Sequence, residues 1–188
     1  MLNNFNENGK IINVVTKKYR RITEKIFNNF VSFSNLDFSY NKKGYDWMKT
    51  YILSKLAGVH LAQYLGEYCS KNHKNIKVVS LHPGYINNHF FREIEKHSLY
   101  WFLRDLFQTP LRWLIFKDNK MGAQTTLDCC YMDWENMING GYYKDCHYEK
   151  LKSIGLLSNA EKLIKFDKEI IEKNNIIKDD KRILRIFN

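Results

Sequence analysis

Apolar residues first run together, rather than spaced apart, at Lys10-Ile11-Ile12-Asn13-Val14-Val15-Thr16. The run is β-branched and apolar on both faces, which predicts a buried parallel strand ending at Thr16. From about Asp46 to Asn72 the spacing changes to threes and fours, through Met48, Tyr51, Ile52, Leu56, Val59, Ala62 and Leu65. That period predicts a helix. Its small residues, Ala57, Gly58, Ala62 and Gly66, suit close packing on a sheet. Ile76-Lys77-Val78-Val79-Ser80-Leu81-His82 returns to the strand pattern and stops at Pro83-Gly84, where proline blocks continuation. Strand, helix, strand in that order implies a right-handed crossover between two parallel strands. The carboxyl ends of both strands and the first turn of the helix then share one edge.

The remaining segments fill in around this unit. Residues 1–8 are polar and read as the tail of a helix. Residues 17–43 keep neither period and read as a long loop or insertion. Residues 98–116 are rich in Leu, Trp and Phe and read as one or two helices broken at Thr109-Pro110. Met121 to Met132 reads as a helix. Gly140-Gly141 then makes a turn, and Tyr142-Tyr143 a short strand. Ala160 to Asn174 is an amphipathic helix, and residues 176–188 a charged, frayed tail. His60, within the long helix, reads as structural or solvent-facing. The class is α/β: three parallel strands with flanking helices in one domain.

Composition narrows the setting. The chain has 188 residues, 44% of them apolar, enough to bury one core. Lys plus Arg number 30 and Asp plus Glu 20, for a net charge of +10. The excess is spread out, with Lys17-Lys18 and Arg20-Arg21 the only dense cluster, so no specific nucleic-acid partner is implied. Salt-sensitive binding to polyanions is the expectation of that rival class. The N-terminal residues are too polar for a signal peptide, and no apolar run reaches transmembrane length. The four cysteines, Cys69, Cys129, Cys130 and Cys146, lack the spacing of a zinc site. No metal is expected, and a reduced, cytoplasmic compartment fits.

The candidate chemistry sits on the shared edge. Tyr51 and Lys55 are four apart and lie on one helical face. A phenol titrates near ~10, and a neighbouring ammonium lowers that value, so the pair could move a proton to or from a carbonyl oxygen. Two further Tyr-x-x-x-Lys pairs, Tyr45/Lys49 and Tyr148/Lys152, show that the spacing alone also describes an ordinary helix surface. Thr16, at a strand's carboxyl end, is a candidate for holding a substrate oxygen or a plain strand-end residue.

Together, Asn13-Val14-Val15-Thr16, Tyr51-x-x-Ser54-Lys55 and Ser80-Leu81-His82-Pro83-Gly84 resemble the short-chain dehydrogenase/reductase superfamily. Gly122-Ala123-Gln124-Thr125-Thr126 and Gly141-Tyr142-Tyr143-Lys144-Asp145-Cys146 are similar to its retinol-dehydrogenase-like and WW-domain-oxidoreductase-like branch. The resemblance covers about Lys10 to Asn175 and implies a Rossmann-type sheet. It implies Tyr51 as general acid or base, with Lys55 lowering its pKa and contacting the nicotinamide ribose. Thr16 would stand where the family has a substrate-orienting serine. Pro83 and Gly84 would lie beside the nicotinamide, with Asn88 where the family has a cofactor-touching threonine. It implies NAD or NADP as cofactor and direct hydride transfer to or from an apolar alcohol or carbonyl: retinol-like, steroid-like or a lipid aldehyde. Residues 98–116 would be the substrate lid. Core packing, or an interfacial helix giving weak membrane association, are the alternatives for that stretch. Cys146 would be an inert buried thiol.

The sequence also departs from the family. None of its nine glycines stands in a Gly-x-Gly, so the Gly-rich first half of the Rossmann sheet, with its pyrophosphate cradle, is missing. The expectation is the C-terminal half of such an enzyme, truncated and inactive by itself. The rival class is a non-catalytic remnant or an interaction or membrane-surface module.

Overall fold

The computed structural model describes residues 8–32, 47–72, 75–86, 116–152 and 155–173. The first strand, β1 (Gly9–Val14), leads into a short 3₁₀ turn, Lys17–Arg21, and helix α1 (Glu24–Ser32). Helix α2 (Trp47–Lys71) and strand β2 (Ile76–His82) follow. After them come α3 (Asn119–Tyr131), β3 (Tyr142–Lys144), β4 (His147–Tyr148) and α4 (Leu157–Lys173).

The sheet runs in the order β1-β2-β3-β4. β1 and β2 are parallel in register Gly9 to Ile76 through Val14 to Leu81, and β3 continues parallel beside β2. β4 turns back antiparallel on β3. This is a Rossmann-type arrangement, with α2 and α4 on one face and α3 on the other. Alternation along β2 assigns the faces. Ile76 and Val78 pack with Ala62 of α2, whereas Val79 and Leu81 pack with Cys129 of α3. A third cluster joins Ile52, Leu56 and Val59 of α2 to Leu163 and Phe166 of α4, over Tyr142.

Two close approaches seat α2. A Cβ on Gly58 would stand 3.0 Å from both Asn13 and Val15, so the small residue lets the helix cross β1 at contact distance. The Asn13 amide donates to the Gly58 carbonyl at 2.9 Å, fixing the helix against the strand end. Lower down, a Cβ on Gly66 would be 2.6 Å from the Gly140 backbone nitrogen. Asn139 knits that end together. Its side chain accepts from Val78 N at 2.8 Å and donates to the Gly66 carbonyl at 2.9 Å. Lys77, whose alkyl stem comes from β2, donates to the carbonyl of Met137 at 2.7 Å and lies over the Trp134 ring, 4.1 Å from its centroid.

Several sequence expectations change. The stretch 17–43 is not loop from its start, because a 3₁₀ turn and α1 occupy it as far as Ser32. Thr23 starts α1 by accepting from Ile26 N at 3.3 Å, and Phe27 is fully buried. Strand β1 ends at Val14, because Thr16 turns away to cap the 3₁₀ turn, accepting from Lys18 N at 3.3 Å. The short β4 had no periodicity to announce it. Cys146 is half-buried at the hairpin turn, not a core thiol, with φ at 62°. The buried thiols are Cys69 and Cys129, and burial pushes that of Cys129 up to about 11. His60 is wholly buried, edge-on to Phe27 at 5.0 Å. The expectations for residues 1–7, for 98–115 and for the tail 176–188 lie outside the described residues, as does Asn88.

Candidate active site

A cavity of about 290 Å³ opens at the carboxyl edge of the sheet. Each element delivers its side chains there for a local reason. β1 leads into Val15 and Thr16, α2 contributes Tyr51 and Lys55 from its N-terminal part, and β2 ends at His82 and leads into Pro83 and Gly84. Lys18, Tyr85, Ile86 and Phe116 complete the lining. The sequence singled out Thr16, Tyr51, Lys55, Pro83 and Gly84, and all five line this one cavity.

The Lys55 ammonium donates to the Val14 carbonyl at 3.3 Å and lies 6.0 Å from the centroid of the Tyr51 ring. Ser54 donates its hydroxyl to the Tyr51 carbonyl at 2.8 Å, so it ties into its own helix. Burial raises the Tyr51 phenol above its ordinary value. The expected lowering by Lys55 is therefore not what this state displays: desolvation outweighs an ammonium engaged with a backbone carbonyl. Gly84 takes φ at +98°, which closes the turn after β2. The Lys117 side chain lies over it, 3.0 Å from where a Cβ would be.

His82 escaped the sequence reading as a site residue. It is 4% exposed, stands edge-on to Tyr85 at 5.7 Å, and neither ring nitrogen makes a hydrogen bond of good geometry. Burial first, then the Lys144 ammonium, push its pKa down to about 4, against smaller opposing effects of Asp145 and the Val15 backbone. Its parity along β2, shared with Val78 on the α2 side, is the signal that could have found it. Behind it Asp145 bridges two lysines, with Lys117 at 2.6 Å and Lys144 at 2.7 Å. Those two hydrogen bonds hold the Asp145 carboxyl down at about 2. Among the described residues, no group of three or more His, Cys, Asp or Glu side chains stands where it could hold a metal ion.

The chain is 32% identical over 104 residues to dehydrogenase/reductase SDR family member 13 of Bos taurus, covering 55% of this chain and 26% of that protein. The Homo sapiens protein of the same name is 31% identical over 104 residues, with the same coverage. Retinol dehydrogenase 11 of Homo sapiens is 26% identical over 117 residues, covering 62% of this chain and 33% of that protein. The chain is a partial relative of the short-chain dehydrogenases/reductases.

It spans about a quarter to a third of the length of these relatives. No protein-family model matches the sequence. The short-chain dehydrogenase/reductase relationship and the parallel sheet agree: the resembling motifs lie on β1, α2 and β2, which together build the cavity. Among the described residues, no helix is long and apolar enough to cross a membrane.

Proposed function

We propose that this cavity is the proton-transfer centre of an NAD(P)-dependent oxidoreductase acting on an apolar alcohol or carbonyl. The observation that carries the reading is the convergence of Tyr51, Lys55 and Thr16 on one cavity at the carboxyl ends of two parallel strands. The cavity fits the nicotinamide end of such a cofactor: the Pro83-Gly84 turn and Lys55 stand in one lining. Asn88 is assigned to the same end on resemblance alone. A pyrophosphate cradle has no counterpart in the 188 residues, which hold no Gly-x-Gly. When bound, the cofactor supplies or accepts the hydride.

The chain's own residues handle the oxygen and its proton. The Thr16 hydroxyl accepts from Lys18 N through its oxygen, which leaves its proton for a substrate oxygen. The Tyr51 phenol donates its proton to a developing alkoxide, or takes one from an alcohol in the reverse direction. Its raised pKa makes it a holder of the proton in the unliganded state. Lys55, on leaving the Val14 carbonyl, would bring its charge to bear on the phenol and favour its ionised form. A non-catalytic ligand-binding remnant is the rival reading. It draws on one observation, the engagement of Lys55 with Val14.

The test is NAD(P)H oxidation with an apolar aldehyde. The 188-residue chain is compared with the same chain joined at its N-terminus to the nucleotide-binding half of a relative. We expect turnover chiefly from the joined protein. In it, Tyr51→Phe should cut turnover by about 10²-fold or more, the usual contribution of a general acid, while cofactor binding persists. Undiminished turnover by the Phe variant would remove Tyr51 from the chemistry.

A further inference from the structure

Thr16 is fastened on both sides. Ahead of it, Val15 N donates to the Leu81 carbonyl at 2.8 Å, which keeps the chain in contact with β2 as it leaves β1. Behind it runs the 3₁₀ turn Lys17–Arg21, which Thr16 caps. The Thr16 hydroxyl accepts from Lys18 N at 3.3 Å, and its carbonyl accepts from Tyr19 N at 3.3 Å. Both bonds are long, and a short 3₁₀ turn has poor hydrogen-bond geometry of its own. The aim of the Thr16 hydroxyl therefore depends on what holds the turn.

Two neighbouring residues of the turn hold it to the β3–β4 hairpin. Tyr19 is fully buried, its ring edge-on to that of Tyr142 at 5.5 Å. Arg20 reaches further, to the Glu149 carboxylate at 3.0 Å and to the Lys150 carbonyl at 3.4 Å. Glu149 is itself tied to the sheet, because its N–H donates to the Tyr142 carbonyl at 2.8 Å. Tyr142 thus serves both contacts as one platform, and it stands beside Ser80 of β2 in the ladder. The Arg20 and Glu149 side chains are 19% and 31% exposed, so the pair is screened less than an ordinary surface pair.

We propose that Arg20 and Glu149 are positioning residues for Thr16: they clamp the 3₁₀ turn on the hairpin and so aim the hydroxyl that the turn carries at its head. Neither lines the cavity, and both act through the turn. This rests on the reading of Thr16 as the residue that meets the substrate oxygen, and it names what fixes that residue in place. Loss of either charge leaves the other partly buried without its counter-charge, which favours a shifted turn.

Backbone amide exchange, followed by NMR on the full chain, tests the anchoring without any turnover. Glu149→Gln should speed exchange of the Lys18 and Tyr19 amides, which bond to Thr16, by about tenfold, while the Val15 amide on Leu81 keeps its protection. Arg20→Met should do the same. Unchanged exchange at Lys18 and Tyr19 overturns the proposal, as does an equal rise at Val15, the mark of general loosening. In the protein joined to a nucleotide-binding half, Glu149→Gln should lower kcat about tenfold with KM unchanged, short of the ~10²-fold that about 1 Å of misplacement can cost. Combined with Thr16→Ala, it should slow turnover no further than Thr16→Ala alone, because its effect passes through that hydroxyl. Losses that multiply overturn the proposal. If Thr16→Ala turns over like the parent, the reading of Thr16 falls instead, and the exchange result still decides whether the pair anchors the turn.

Discussion

At the scale of single residues, His82 makes the most specific claim about stability. Its folded pKa is about 4, against 6.5 when unfolded. Below pH 6.5 the unfolded chain binds a proton that the folded chain refuses, so acidification favours unfolding. The loss accumulates from about pH 6.5 down to about 4 and then levels. At ~1.4 kcal/mol per unit it reaches roughly 3 kcal/mol. Asp145 adds a smaller loss further down, as pH falls from 3.8 towards 2 and its two lysine partners lose their carboxylate. Urea midpoints at pH 7 and pH 4.5 should differ, and His82→Phe should narrow the difference. An unchanged midpoint in the parent protein would contradict the burial argument. Thr16, Tyr51 and Lys55 could be singled out from sequence because their spacing and order carry a pattern. His82 carried only its parity along β2, because whether a strand-end histidine lacks hydrogen-bond partners depends on what β3 and its turn bring in.

Among the elements, the β3–β4 hairpin is the least economical. Its two linking residues, Asp145 and Cys146, have φ of 50° and 62°. Positive φ at both central positions is the turn type that favours Asn-Gly or Asp-Gly, and Cys146 occupies the glycine position. Cys146→Gly should therefore stabilise the protein by about 1 kcal/mol, measured as a rise in Tm of a few degrees. A fall in Tm would mean that the thiol makes contacts worth more than the strain. β2 was legible residue for residue, since a continuous apolar run closed by Pro83-Gly84 leaves little freedom. β4 was not, being two exposed residues held by register alone. α1 was missed for a related reason. Its nine residues carry Asn among the aromatics, and its start depends on one Thr23 hydrogen bond rather than on a period.

For the whole molecule, β1 pairs on one side only among the described residues. An unpaired strand edge is a template for association. Val14 at its carboxyl end is 43% exposed. We expect the 188-residue chain to self-associate as its concentration rises, and Val14→Lys to suppress this. Light scattering across a concentration series would detect it, and a monodisperse parent protein would refute the idea. The parallel pairing of β1 with β2 was legible because strand, helix and strand follow one another, whereas the order of the whole sheet was not. The seating of α2 was only hinted at by its small residues: Asn139 joins β2 to α2 from a loop far along the chain, and no local pattern marks it.

The segment 87–115 leaves the described structure at Ile86 and rejoins it at Phe116. Ile86 and Lys117 form a parallel bridge, and Lys117 N donates to the Tyr85 carbonyl at 2.7 Å. Ile86 and Phe116 both line the cavity, so this fastening also fixes the spacing across its mouth. Tyr51 and Lys55 reach the same cavity from α2 and have no part in the fastening. A substitution that loosens the Tyr85–Lys117 bond would therefore alter the bore of the entrance and leave the groups that handle the proton where they are.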